Sequence, residues 1–343
     1  MHTDRSKPSI SIIVPVHNNP GDLHQCLTRL GEIASETTEI IVVDDASTDE
    51  TPAVAAEFGA HVERLDKNGG PAVARNLGAN IARGEILLFV DADVVLAPDA
   101  ISRLEEGFGR EPEIAAIFGS YDDEPFGRGL VSRYRNLLHH FVHQHGSPEA
   151  STFWAGCGAV RREAFLAVGG FDARRYPRPC IEDIELGYRL RAAGFRIRLD
   201  PQVQGKHLKR WSFRSVVRTD ITCRAIPWTR LLLEDPSLPG DLNLKIDQKI
   251  CGAATVLAFT ALVCAAFYPP LLAVSLGLLL GVMLVNRELL IFFARHGGPV
   301  FATGCLLMHL LYYLYSVLSF AYVWLDVRLA RRVRLAWHSF ASG

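Results

Sequence analysis

The stretch GEILLFVDADVVL, residues 84–96, gives the clearest sign of a buried sheet in this chain. Its residues 86–90 are apolar without a break, as in a strand that is covered on both faces. The run leads into Asp91-Ala92-Asp93, and alternate residues of a strand point the same way, so the two carboxylates can converge on one object. A divalent cation such as Mg²⁺ or Mn²⁺ is one interpretation, because hard cations prefer oxygen ligands. A solvated turn at the strand end is the other, since Asp is common in turns.

Two earlier apolar runs also end in polar residues. SISIIVPVHN ends in His17 and Asn18, and EIIVVDDAST carries Asp44 and Asp45 directly after its apolar core. Segments with helical spacing separate these strands, and this alternation predicts an α/β fold with a mostly parallel sheet. Ligands bind beyond the carboxyl ends of the strands in such sheets, so we expect the three polar ends to form one site.

Charge and hydropathy divide the chain into an acidic front and a basic, apolar rear. Residues 207–343 hold 14 Lys and Arg against 7 Asp and Glu, whereas residues 1–206 hold 22 against 30. Residues 251–286 contain no charged side chain at all. This pattern predicts a soluble domain that is attached to a membrane. The predicted domains are a catalytic domain at 1–206, amphipathic interfacial helices at 207–249 and a transmembrane region at 250–343, with apolar segments at about 250–268, 270–286 and 301–325.

The number of full membrane spans is left open by the sequence. Three full spans would carry the arginines near residue 330 to the far side, against the positive-inside rule. The first ten residues contain no apolar core of signal-peptide length, and the seven cysteines are scattered without a CxxC motif. We therefore expect a multi-pass protein of the inner (plasma) membrane with a cytoplasmic catalytic domain. The arginines and aromatic residues of 210–230 suit an anionic leaflet, and nucleic acid, the other partner for such a stretch, is not expected.

Six motifs resemble, in their order and spacing, those of the inverting family 2 glycosyltransferases with the GT-A fold. The resemblance covers about residues 9–215, and it is carried by SIIVPVHN, IIVVDDASTDET, NGGPAVARNLG, FVDAD, GCGAVRREAFLAVGGFD and CIEDIELGYRLRAAGF. It implies a GT-A (nucleotide-diphospho-sugar transferase) domain that uses a nucleotide-sugar donor. The implied donor site consists of Pro15, Val16, His17, Asn18, Asp44, Asp45, Asn68, Arg75, Asp91, Ala92 and Asp93.

The resemblance also implies roles within the donor site. Either Asp44 or Asp45 recognises the base, with helix capping as the alternative. Arg75 lies either near the phosphates or on the helix surface. The implied ligands of a Mg²⁺ or Mn²⁺ ion that bridges the diphosphate are Asp91, Asp93 and His207. His207 stands where processive synthases carry the Gln of Q-x-x-R-W, which favours the addition of a single sugar; a plain surface histidine is the alternative.

The ED motif carries the implied catalytic base. In inverting transfer one carboxylate takes the proton of the acceptor hydroxyl during in-line attack, and the resemblance gives this role to Asp183. A helix N-cap is the alternative for Asp183, and exposed helix charges are the alternative for Glu182 and Glu185. Trp154 either stacks on a sugar or a lipid headgroup or packs in the core. The implied acceptor side consists of Trp154, Gly156, Glu182, Arg210 and Trp211.

The predicted function is the transfer of one sugar, with inversion, by a membrane-anchored and metal-dependent glycosyltransferase. UDP is the favoured nucleotide of the donor. A polyprenyl phosphate is already ionised near neutral pH and needs no general base, so the ED motif favours a hydroxyl of a lipid or another membrane-presented acceptor. Two alternatives stay open, a polyprenyl-phosphate glycosyltransferase and a membrane scaffold that has kept the fold without turnover.

Overall fold

The computed structural model of the protein describes residues 8–35, 38–239 and 245–341. The chain divides into two compact units, Met1–Arg210 and Trp211–Gly343. Residues 1–7 and 342–343, at the ends of the predicted catalytic and transmembrane regions, lie outside the described residues, as do residues 240–244 of the predicted interfacial region. The division into three functional regions stays a prediction.

The described part of the first unit contains one nine-stranded sheet. Its strands are β1 (Ile10–Val16), β2 (Thr38–Asp44), β3 (His61–Arg64), β4 (Ile86–Val90), β5 (Val94–Leu96), β6 (Ile114–Tyr121), β7 (Glu149–Ala150), β8 (Cys157–Arg161) and β9 (Arg196–His207). Their order across the sheet is β3-β2-β1-β4-β8-β6-β9-β5, and β7 pairs with β9.

The first four long strands form a parallel half-sheet. β1 lies between β2 and β4 and is parallel to both, with Ile10 beside Thr38 and Ile86. Every residue of β1 and β4 is buried, which explains their unbroken apolar runs. Because β1, β2 and β4 run in one direction, their carboxyl ends meet at one edge of the sheet. The α/β prediction is confirmed.

The other half of the sheet is mixed, whereas the sequence predicted mostly parallel strands. β8 enters between β4 and β6 and is antiparallel to both. β9 is parallel to β6 from Arg196 to Gly205, and its last three residues are also antiparallel to β5, with His207 opposite Val94. The short turn from β4 into β5 therefore brings Asp93 close to the end of β9, although more than a hundred residues separate the two in sequence.

Helices of the first unit pack on this sheet. They are α1 (Pro20–Ile33), α2 (Thr51–Glu57), α3 (Pro71–Ile81), α4 (Ala100–Arg110), α5 (Leu130–Gln144), α6 (Arg162–Ala167) and α7 (Glu182–Ala192). α3 begins with Pro71, where the missing N–H costs nothing. Its Gly78 lies against β1, since a Cβ at this position would stand 2.5 Å from the Ile13 side chain.

The second unit is helical in its described part. It consists of α8 (Phe213–Thr219), a π-helical turn (Asp220–Ala225), α9 (Ile226–Glu234), α10 (Ile246–Cys264), α11 (Leu271–Val285) and α12 (Arg287–Ala341). Gly298 interrupts α12 with φ 77°, directly before Pro299. Among the residues that the structure describes, two helices could cross a membrane by length and composition alone: α10, with 19 residues, and the 43 residues of α12 up to Leu329. The apolar α11 is shorter.

Candidate active site

The ends of β1 and β2 are joined by hydrogen bonds. His17 Nδ1 lies 2.7 Å from the carbonyl oxygen of Asp45, and the side-chain oxygen of Asn18 accepts the Thr48 N–H at 2.8 Å. Asn18 and Ala46 have positive φ angles, 48° and 55°. Such angles are uncommon for residues other than glycine and are held by the surrounding contacts, so this edge has a specific backbone shape. Before them, Pro15 and Val16 are buried strand residues beside Val43 and Asp44.

Asp45 holds the glycine turn that precedes α3. Its two carboxylate oxygens accept the backbone N–H groups of Gly69 and Gly70 at 2.6 and 2.8 Å. The Asn68 side chain reaches the Asp45 carbonyl oxygen at 3.5 Å. The structure therefore brings Asp45 and Asn68 together, and it commits the Asp45 carboxylate to the backbone of the turn.

Asp44 has a different environment from Asp45. Its side chain is fully buried, and Oδ1 accepts the Ser47 N–H at 3.0 Å. Oδ2 lies 3.3 Å from Nε of the exposed Arg64 and has no hydrogen-bond donor among the described residues. Of the two acids, Asp44 thus keeps an oxygen that could still accept a hydrogen bond, once Arg64 moves aside.

Arg75 is buried and joins Asp91, at the end of β4, to Glu182, at the start of α7. Its Nη2 donates to Asp91 Oδ1 at 2.6 Å and its Nη1 donates to Glu182 Oε1 at 3.0 Å. Burial on its own would lower the pKa of Arg75, but Asp91 and Glu182 raise it above the ordinary value, so the guanidinium stays charged. The alternative of a surface arginine is wrong, because 5% of Arg75 is exposed. The alternative of exposed helix charges is wrong as well, because Glu182 is 4% exposed and Glu185 is 7% exposed.

Asp183 lies in the first turn of α7, directly after Glu182. Its Oδ2 accepts the Ala155 N–H at 3.1 Å and its Oδ1 accepts the Ile184 N–H at 2.8 Å. Burial, and next the negative charge of Glu182, raise the pKa of Asp183 to about 7, although Arg75 opposes the rise. The N-cap alternative is wrong, since Ile181 precedes the helix and no side chain caps it. A carboxylate with a pKa near the working pH can act as a general base.

The buried His207 and the partly buried Asp93 form a second pair. Asp93 Oδ2 lies 3.4 Å from His207 Nε2, and the other ring nitrogen of His207 lies 2.9 Å from the side-chain oxygen of Asn136. Burial on its own would raise the pKa of Asp93, but the hydrogen bond and charge of His207 hold that pKa below its usual value. His207 is 7% exposed and stacks on Tyr121, so the alternative of a surface histidine is wrong.

The Asp93–His207 pair fits a divalent cation. Neighbouring ligands in an octahedral shell with bonds of about 2.1 Å stand about 3 Å apart, close to the observed separation of the two atoms. Within the part of the chain that the structure describes, no group of three His, Cys, Asp or Glu side chains gathers around one point. Mg²⁺ is commonly held by one or two carboxylates together with substrate phosphates, so two protein ligands are compatible with such a site. Asp91, the third predicted ligand, contacts Arg75.

Of the predicted acceptor-side residues, Trp154 contacts Tyr121, the ring on which His207 stacks. The Trp154 ring meets the Tyr121 ring edge-on at 4.7 Å and packs against the core. A Cβ at Gly156 would stand 2.6 Å from the Trp154 ring, so glycine allows the indole its position. Arg210 stacks on the Phe126 ring at 5.1 Å, at the end of the first unit. Trp211 begins the second unit.

Three residues of the site were not found from the sequence. Tyr121 had a usable signal, because the apolar strand IAAIFGSY ends there and is followed by Asp122 and Asp123, as in the other polar strand ends. Arg64 ends β3 beside Asp44, a position that depends on strand pairing. Asn136 lies in the middle of α5 and has no local signal.

Comparison with known proteins identifies a domain over part of the chain. Residues 11–169 match the family model described as Glycosyl transferase family 2. The chain is 30% identical over 117 residues to Glycosyltransferase GlyG of Streptococcus pneumoniae, which is 33% of this chain and 38% of that protein. It is 29% identical over 222 residues to the Pre-mycofactocin glycosyltransferase of Mycobacterium tuberculosis, 61% of this chain and 44% of that one. The chain spans between 38% and 62% of the length of the most similar curated relatives.

Among solved structures, the fold resembles that of the mannosyltransferase PcManGT from Pyrobaculum calidifontis, in complex with GDP-Man and Mn²⁺. The TM-score is 0.59 at 18% sequence identity, over 92% of this chain and 88% of the other. An identity this low supports a shared fold and no more. The GT-A fold predicted from the sequence is confirmed.

Proposed function

We propose that the protein transfers one sugar from a nucleotide-sugar to a membrane-presented hydroxyl group, and the match of residues 11–169 to the Glycosyl transferase family 2 model supports this proposal. The observation that carries the proposal is Asp183, a partly buried carboxylate whose pKa is raised to about 7 at the edge of the sheet. The contacts of Arg75 join the neighbouring Glu182 to Asp91, at the end of β4. The buried Arg75 thus links Glu182, the neighbour of the proposed catalytic base, to Asp91 on the donor side of the site.

The proposed donor pocket lies at the ends of β1 and β2. Asp44 would accept an N–H of the base through its Oδ2, which supports a base such as uracil that presents a ring N–H. Asp45 would act through the turn it holds, since both of its oxygens already accept backbone N–H groups. His17 and Asn18 are exposed at this edge and are therefore available to the nucleotide.

The diphosphate would lie near the Asp93–His207 pair. A divalent cation, Mg²⁺ or Mn²⁺, bound there would neutralise charge on the leaving nucleoside diphosphate. Arg75 is not free to bind a phosphate directly, since both terminal nitrogens donate to carboxylates. We therefore propose that Arg75 fixes the positions of Asp91 and Glu182 and contributes its charge from a distance.

The chemical step needs one base and one acceptor hydroxyl. Asp183 takes the hydroxyl proton as the acceptor oxygen forms its bond to the anomeric carbon. The bond from that carbon to the phosphate oxygen breaks, and its electron pair leaves with the nucleoside diphosphate. Attack from the face opposite to the leaving group inverts the anomeric configuration. A carboxylate with a pKa of about 7 is ionised in a large fraction of molecules at neutral pH and still accepts a proton readily.

We propose that the second unit attaches the protein to the membrane. α10 and the long part of α12 have the length and composition of membrane spans, and large apolar side chains are exposed along these two helices and along α11. Examples are Leu257, Leu262, Val263, Leu280, Leu284, Ile291, Leu307 and Leu318. Arginines of 210–230 would contact an anionic leaflet. An enzyme attached in this way would meet a lipid-borne acceptor at the bilayer itself.

The purified full-length protein tests this proposal with a panel of labelled nucleotide-sugars, Mn²⁺ and an extract of membrane lipids. We expect label from one donor to enter a lipid-soluble product, and we expect EDTA and Asp93→Ala to abolish transfer. Glu185→Gln is the control, because it removes a carboxylate of α7 that pairs with Arg189 on the same helix. An acid-labile product would indicate a polyprenyl phosphate acceptor instead of a hydroxyl. Transfer and donor hydrolysis that persist in EDTA and in Asp93→Ala would overturn the proposed role of the metal site.

A further inference from the structure

The His207 side chain is held on three sides. It ends β9, where its backbone pairs with that of Val94 in β5. Its ring lies parallel to the Tyr121 ring, with 4.4 Å between centroids and 6° between planes. Its Nδ1 lies 2.9 Å from Oδ1 of Asn136, which is 2% exposed on α5. Its Nε2 points toward Asp93.

The contact with Asn136 determines which ring nitrogen carries hydrogen. A carbonyl oxygen can only accept a hydrogen bond, so His207 Nδ1 must be the donor in this contact. In the neutral imidazole the hydrogen is then on Nδ1, and Nε2 presents a lone pair to the Asp93 oxygen at 3.4 Å. Two lone pairs that face each other repel, so either a proton on Nε2, which gives the hydrogen bond from His207 to Asp93, or a metal cation must lie between them. The proposed function places a divalent cation at this point.

We propose that Asn136 is the positioning residue of the metal site, because its side-chain oxygen keeps the hydrogen of His207 on Nδ1 and turns the lone pair of Nε2 toward the cation. The inference rests on the proposed function, since it requires the Asp93–His207 pair to hold a metal ion. Ligating histidines generally donate their second ring N–H to such an acceptor, and loss of the acceptor typically weakens metal binding by 10- to 100-fold. In this proposal Asn136 itself contacts neither the nucleotide-sugar nor the cation.

Two substitutions of Asn136 separate hydrogen bonding from packing. The carboxylate introduced by Asn136→Asp has nearly the same shape as the natural amide and can only accept, so this variant should keep His207 in the same tautomer. Asn136→Leu has the same branching and number of side-chain heavy atoms but cannot accept a hydrogen bond. His143→Gln is the matched control, because His143 is equally buried on α5 and bonds the Gly119 carbonyl instead of His207.

The primary measurement is the loss of the free Mn²⁺ signal in electron paramagnetic resonance, in titrations of the full-length protein with Mn²⁺ in the presence of UDP. We expect Asn136→Leu to weaken Mn²⁺ binding by about 10- to 100-fold, and Asn136→Asp and His143→Gln to stay within about threefold of the wild type. If the wild type binds Mn²⁺ and Asn136→Leu binds it with the same affinity, the role of Asn136 is refuted, while the proposed metal site stands. A wild-type protein that binds no Mn²⁺ would overturn the inference together with the proposed metal site.

A second measurement keeps the inference open to refutation if Asn136→Leu folds poorly. Long-range ¹⁵N–¹H spectra of histidine-labelled protein with Mg²⁺ report the tautomer of each ring, and the His207→Gln variant identifies the His207 signals. We expect a protonated Nδ1 and a bare Nε2 at His207 in the wild type and in Asn136→Asp. A protonated Nε2 in the wild type with Mg²⁺ would show that the hydrogen lies on the nitrogen that the cation needs, and would refute the role of Asn136.

Discussion

Replacing Glu182 by Gln should move the acid side of the pH–rate profile to lower pH. Asp183 must be ionised to accept a proton, so kcat/KM of the wild type should fall as the pH drops through about 7, the pKa of Asp183. After burial, the negative charge of Glu182 is the largest cause of that raised pKa. Its removal leaves the opposing charge of Arg75 in place, so the pKa of Asp183 must fall.

The size of the shift follows from Coulomb's law. At an effective dielectric constant of about 20, two unit charges interact by about 4 kcal/mol at about 4 Å and by about half as much at twice that distance, so we take about 2 kcal/mol for carboxylates on adjacent helix residues. One pKa unit corresponds to about 1.4 kcal/mol, so we expect the pKa of Asp183 to fall by about 1 to 1.5 units. The amide oxygen introduced by Glu182→Gln could still accept the hydrogen bond from Arg75, although the second bond, from the Cys180 N–H, would lose its carboxylate acceptor.

The assay is kcat/KM for the donor between pH 5 and 9 in the wild type, in Glu182→Gln and in the control Glu185→Gln. The control removes one negative charge from the same helix, but that charge is paired with Arg189 and is not among the causes of the raised pKa. We expect the midpoint of the acid limb to move only in Glu182→Gln. Equal midpoints in all three proteins, or a shift to higher pH in Glu182→Gln, would refute this electrostatic account of Asp183.

Three further substitutions test the packing of the site. Arg75→Met leaves two carboxylates without their buried cation, and urea unfolding should show that the free energy of unfolding falls by about 3 to 5 kcal/mol. The control Arg103→Met should lower it by less than about 0.5 kcal/mol, because Arg103 forms an exposed pair with an acid one turn away. Gly70→Ala should destabilise more than Gly59→Ala in thermal unfolding, because both have positive φ but only at Gly70 would the new Cβ stand 2.5 Å from a backbone oxygen. Asp183→Asn should raise stability above pH 7 by up to about 4 kcal/mol, since the folded-state pKa lies above that of the unfolded chain, and this gain should vanish below about pH 4 in unfolding curves measured across pH.

The sequence predicted the parallel half of the sheet because the information there is local. Each of the three strands is an apolar run followed directly by polar residues, and helices lie between them, so alternation alone indicates that β1, β2 and β4 run parallel. The mixed half depends on pairings between distant segments, such as β5 with β9. No local pattern encodes the direction in which β8 enters the sheet.

The candidate site shows the same limit at the level of single residues. The sequence identified Asp44 and Asp45 as a pair, but their difference arises from the Gly69-Gly70 backbone and from Arg64, which reach them only in the fold. Arg75 could not be distinguished from a surface arginine, because its burial depends on carboxylates from two distant segments.

The transfer rate of Asp183→Asn, measured beside its affinity for the nucleotide, tests the central claim most directly. Asn preserves the size of the side chain but cannot take the acceptor proton. We expect the rate of sugar transfer to fall by about 10²- to 10⁴-fold, while the dissociation constant for the nucleoside diphosphate stays within about threefold of the wild type. Transfer at a near-normal rate by Asp183→Asn would contradict the assignment of Asp183 as the base.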